Sequence, residues 1–113
     1  MKFVENRTFL LIRPKKPLAE WVNNYDDHKI PNNEILSLKT LYMVEDINYD
    51  SPDEVLKLVK KTYREMFINE LWAWYEDENY LPKNISFELF TEWFEYEFID
   101  MCFDTLKTKI MLE

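Results

Sequence analysis

The sequence predicts an α+β fold: a small two- or three-stranded sheet covered by two long C-terminal helices and one short helix. Three observations predict it. TFLLIR at residues 8–13 is a dense run of strand formers. LSLKTLYMVE at residues 36–45 alternates with strand period. Beyond Ser51 the apolar residues recur at helical spacing, behind two separate helix-start signals. At 113 residues the chain fits one domain, 1–113.

Thr8 to Arg13 is apolar on both faces and reads as a buried strand ended by Pro14. Pro17 suits the first position of a short helix with Leu18, Trp21 and Val22 on one face. Residues 23–33 are polar, contain Pro31 and read as a loop. In the second strand Leu36, Leu38, Thr40, Tyr42 and Val44 share one face. The connection between the strands is long enough for a crossover, which allows a parallel pair. Two strands alone are marginal, so the sheet needs helix cover, an extra strand near Phe3 or a second subunit.

Ser51-Pro52-Asp53-Glu54 has the form of a capping box, with Pro at the first helical position and acids in the first turn. It predicts a helix to about residue 77. Val55, Val59, Tyr63 and Met66 form its apolar stripe, opposite a basic face of Lys57, Lys60, Lys61 and Arg64. A second long helix is predicted from Ser86 to about residue 106, with Ser86 as cap and Ile85 and Phe90 as a hydrophobic staple. Its core stripe is Phe90, Trp93 and Phe94, opposite Glu88, Glu92 and Glu95. Cys102, placed on that helix among apolar residues, reads as an inert buried thiol.

Composition excludes several chemistries. No glycine is present, so the phosphate loop, the dinucleotide fingerprint and the nucleophile elbow cannot form. One histidine and one cysteine exclude zinc sites built from these ligands. No apolar run is long enough for a membrane span or a signal-peptide core, and no intrachain disulfide is possible, so the expectation is a cytoplasmic protein without membrane contact. The net charge of −8 is uneven. Residues 1–66 hold 11 basic and 11 acidic side chains, whereas residues 67–113 hold 3 and 11. A phosphate backbone would be repelled there, so direct nucleic-acid binding is not expected.

RPKKPLAEWVNN, with LPKNISFELFTEWFEYEF late in the chain, resembles a group of small acidic bacterial proteins. The shared features are an Arg-Pro-Lys-x-Pro…Trp start and a Trp-Phe-x-x-Glu-Phe end. The resemblance covers most of the chain. It implies a bacterial cytosolic origin, no assigned activity and no functional residue.

Four constellations are candidates for function. Arg13, Lys15 and Lys16 gather where a strand ends and a helix N-terminus opens, a place suited to an anion; the competing reading pairs Arg13 with Glu97 or Asp100. Glu97, Asp100 and Asp104, at i, i+3 and i+7, would share a helix face and offer oxygens to Mg²⁺ or Ca²⁺; a solvated face is the alternative. Asp26, Asp27 and His28 invite an acid–base reading, but no activated nucleophile accompanies them. Trp72, Tyr75, Phe98 and Phe103 lie where both predicted helices turn apolar all round, which suggests a partner surface.

The functional expectation is a non-enzymatic interaction or self-associating domain, with no cofactor and no catalytic residue, whose partner is another protein or a second copy. The alternatives are an acidic nucleic-acid mimic that regulates a basic partner, and a small anion-binding domain or enzyme at the Arg13 corner.

Overall fold

The computed structural model describes residues 1–25, 27 and 29–113. It is α+β, with two small antiparallel sheets and one long helix among four. The elements are β1 (Lys2–Phe3), β2 (Thr8–Pro14), α1 (Lys16–Asn24), α2 (Asn32–Leu36), β3 (Thr40–Val44), α3 (Pro52–Trp72), α4 (Phe87–Trp93), β4 (Phe94–Ile99) and β5 (Phe103–Asp104). A 3-10 turn at Glu78–Tyr80 lies between α3 and α4.

β2 is the centre of the larger sheet, which runs in the order β3-β2-β4. Both neighbours are antiparallel to it, which corrects the parallel pairing the long connection allowed. Residues directly opposite in an antiparallel pair share a face. One face therefore carries the rows Tyr42–Leu10–Phe98 and Thr40–Ile12–Tyr96. Leu10 and Ile12 are fully buried there, in one core with Val59, Phe67 and Leu71 of α3, Phe90 of α4, and Leu18 and Val22 of α1. The other face carries Met43–Phe9–Ile99 and Leu41–Leu11–Glu97. On it Leu41 and Met43 are about half exposed. The extra strand near Phe3 exists, but it pairs with β5 in a separate two-stranded sheet, where the Phe3 and Phe103 rings lie 5.3 Å apart.

Helix starts follow the sequence signals. The Ser51 hydroxyl accepts from the Glu54 amide at 3.4 Å, and the Ser86 hydroxyl from the Leu89 amide at 3.1 Å. The box at Ser51 is not closed reciprocally, because the Glu54 carboxylate accepts from the Asn48 amide instead. Ile85 packs against the core that holds Phe90.

Helix ends depart from expectation. α3 stops at Trp72 rather than near residue 77. Past that point the Tyr75 hydroxyl donates to the Val22 carbonyl, and its ring joins Trp21, Tyr25 and Tyr80 in edge-on contacts. Those contacts draw the chain off the helix axis. Part of the expected loop and the start of the expected second strand form α2, which buries Ile35, so β3 begins only at Thr40.

The largest correction concerns the second long helix. α4 spans seven residues and passes directly into β4 at Phe94, whose backbone is extended at φ −137 and ψ 147. The reason is periodicity. In FEYEFI a helix would turn Tyr96 about 200° from Phe94, whereas a strand puts Phe94, Tyr96 and Phe98 on one face. That face is the core face, and the strand also pairs the second edge of β2. Cys102 is accordingly on no helix; it is half-buried between β4 and β5, and its carbonyl accepts from the Val4 amide. Among the described residues, no helix is long and apolar enough to cross a membrane.

Candidate functional site

The residues singled out in the sequence do not converge. Arg13 lies on the less covered face of β2, and its guanidinium meets Glu97 of β4 at 2.7 Å, one step diagonal in the register. Lys15 donates to the Thr91 carbonyl at 3.1 Å, and Lys16 approaches Glu20 at 3.8 Å along α1. All three cations thus have oxygen partners within the chain.

Glu97, Asp100 and Asp104 sit on β4, in the bend after it and on β5, so the helix face that would have gathered them does not exist. Each has its own partner. Asp100 accepts from the Tyr49 hydroxyl at 2.6 Å, and Asp104 from the Leu106 amide at 2.9 Å. Among the described residues no three His, Cys, Asp or Glu side chains form a metal-binding group. Asp26 and His28 of the acid–base candidate lie outside the described residues.

The four aromatic partner candidates are also dispersed. Trp72 borders an open depression of about 660 Å³ walled by the polar loop of Glu78, Asn79, Lys83 and Asn84. Tyr75 is in the aromatic group around Trp21. Phe98 stacks on Tyr49 with centroids 5.5 Å apart, and Phe103 packs on Phe3.

A feature the sequence reading missed is the groove between β3 and α3. Its volume is about 480 Å³. One wall is Tyr42, Met43, Val44 and Glu45. Successive strand residues point to opposite faces, so four consecutive residues can line one cavity only along the edge of the strand. The other wall is Leu58, Lys61, Thr62, Glu65, Met66 and Asn69, which fall on one face of α3 at helical spacing. The floor is apolar, from Val44, Leu58 and Met66, and the Lys61–Glu45 pair at 3.6 Å spans the rim.

β3 is an edge strand, and among the described residues its backbone bonds only to β2. Alternate N–H and C=O groups of such a strand point away from the sheet. The groove therefore combines free backbone donors and acceptors with an apolar trough.

A polar cluster sets its width. The Tyr42 hydroxyl donates to Glu70 at 2.6 Å and accepts from the Asn69 amide at 2.9 Å. The Thr40 hydroxyl donates to the other Glu70 oxygen at 3.0 Å. One carboxylate of α3 thus holds two hydroxyls of β3. Burial, and then the hydrogen bond to Glu70 and its negative charge, raise the Tyr42 pKa above its ordinary value near 10. The phenol stays protonated at neutral pH and serves as a donor, not as a base.

The strand signal was present in the sequence as the alternation of residues 40–44, but the order that leaves β3 outermost depends on β4, whose residues the sequence places in a helix. Comparison of the chain with protein-family models, with curated proteins and with solved structures finds no match.

Proposed function

We propose that the protein is an interaction domain that binds an extended segment of a protein partner along β3, in the groove between β3 and α3. The observation that carries this reading is an apolar trough running beside an unpaired strand edge. Strand addition at such an edge takes its affinity from main-chain hydrogen bonds and its selectivity from alternate side chains entering the trough. Val44, Leu58 and Met66 favour apolar side chains at every second position of the guest, and Glu65, the rim carboxylate not paired with Lys61, favours a lysine or arginine beside it. The trough offers no preorganised nucleophile or base, and Tyr42 is committed to Glu70.

The test is selection of peptides from a random library on the whole protein, followed by amide hydrogen exchange of the bound complex. The expected result is new protection at residues 41–45 and binding that persists in 1 M salt, where exposed ion pairs are screened. Protection confined to residues outside β3 and α3 would reject the reading. Binding that disappears steeply with salt would favour acidic mimicry of nucleic acid instead.

A further inference from the structure

Residues 105–113, TLKTKIMLE, follow β5 and form no regular element. They are exposed throughout, although four of the nine are large apolar residues: Leu106, Ile110, Met111 and Leu112. Met111 is 94% exposed and Leu112 88%. The order of residues has strand period. Leu106, Thr108, Ile110 and Leu112 alternate with Lys107, Lys109 and Met111. Charge sets the segment apart as well. Residues 67–104 hold one lysine and ten acids, whereas residues 105–112 hold two lysines and no acid.

None of these residues lines the groove of its own chain. The radius of gyration is 15.8 Å, against about 13 Å for a compact chain of this length, as expected when a segment projects from the body.

We infer that residues 105–113 of a second copy add as a strand to β3, so that two chains exchange arms in a closed dimer. This inference rests on the reading of the β3 groove as a strand-addition site. The chemistry matches on three counts. Leu106, Ile110 and Leu112 share a face that can enter the trough over Val44, Leu58 and Met66. Lys107 and Lys109, on the opposite face of the arm, meet a body whose residues 1–104 hold 12 basic and 21 acidic side chains. The five residues of β3 span about 17 Å, and five or six of the nine arm residues suffice to pair with them. Reciprocal exchange makes both contacts identical, which closes the assembly at two chains. It also covers two strand edges and two exposed apolar arms at once.

The decisive comparison uses the whole chain and its Ile110→Asp/Leu112→Asp variant in sedimentation, with thermal unfolding as a check on the fold. Both positions are exposed, so the variant is expected to fold normally. The expected result is about 28 kDa for the unaltered chain, twice the 14.0 kDa of one copy, and a twofold drop in mass for the variant. A labelled synthetic peptide of residues 105–113 should then bind the monomeric variant. It should lose at least about tenfold in affinity when Thr62→Arg fills the trough.

A monomeric unaltered chain overturns the inference, as does a dimer that survives the arm substitutions. So does a peptide whose binding ignores Thr62→Arg. If the arm peptide fails but library peptides still protect residues 41–45, the exchange is rejected and the strand-addition site stands. If neither protects β3, both are rejected.

Discussion

Residues 52–72 and 87–99 both mix aromatics with carboxylates behind a serine cap, yet the first is a single helix and the second changes from helix to strand without a loop. Capping does not separate them, since Ser51 and Ser86 both accept from the amide three residues on. The difference is in the spacing of the large residues. In α3 the buried set Leu58, Val59, Met66, Phe67 and Leu71 recurs at four, seven and eight, which only a helix gathers on one side. After Trp93 the spacing becomes two. Local periodicity over six residues, together with a vacant edge on β2, outweighs the helix signal that precedes it.

The two regions should fail differently when altered. Phe67 of α3 and Phe94 of β4 are both fully buried, with ring centroids 5.2 Å apart. Phe67→Ala and Phe94→Ala should each cost about 3–5 kcal/mol, the usual range for truncating a buried aromatic. The double variant should cost less than the sum, because the rings share one contact. Additive losses in denaturant titrations would mean that the strand and the helix are stabilised independently.

Glu70 ties α3 to β3. Glu70→Ala should destabilise by about 1–3 kcal/mol, since it leaves the Tyr42 and Thr40 hydroxyls without their acceptor. The same cluster gives a pH dependence. The Tyr42 pKa is raised in the folded state, so its contribution is complete below the unfolded value near 10 and is lost as pH rises above it. Stability measured from about pH 9 to 11 should fall more steeply for the unaltered chain than for Tyr42→Phe. Parallel curves would show that the phenol does not carry the alkaline loss.

The caps should matter less. Ser51→Ala and Ser86→Ala are each expected to cost about 1 kcal/mol. Hydrogen exchange should locate the damage: the Glu54 amide for the first and the Leu89 amide for the second, with β4 unaffected in both. Loss of protection across β4 in Ser86→Ala would show that the strand depends on the helix start. The smallest effect belongs to the Arg13–Glu97 pair, which is partly exposed. Glu97→Gln should change stability by less than about 1 kcal/mol, and a double-mutant cycle with Arg13→Met isolates the coupling.

The sequence by itself determined the elements whose signals are local. β2 is legible because five strand-forming or apolar residues, Thr8 to Ile12, run up to Arg13 and Pro14. The starts of α3 and α4 are legible because Ser, Pro and Glu act on backbone groups within one turn. The Arg13–Glu97 pair was also within reach, because a guanidinium next to a buried strand requires a carboxylate.

Tertiary structure decided the rest. The end of α3 depends on Tyr75 reaching Val22, 53 residues away in sequence. The identity of β4 depends on an edge of β2 that no window around residue 94 contains. The groove depends on the strand order, in which β4 pairs with β2 rather than with β3 and so leaves β3 outermost. Helix caps and strand runs are written in neighbouring residues. Strand order and open edges arise from contacts between distant segments, and there one aromatic-and-acid pattern fits a helix or a strand until its partner is known.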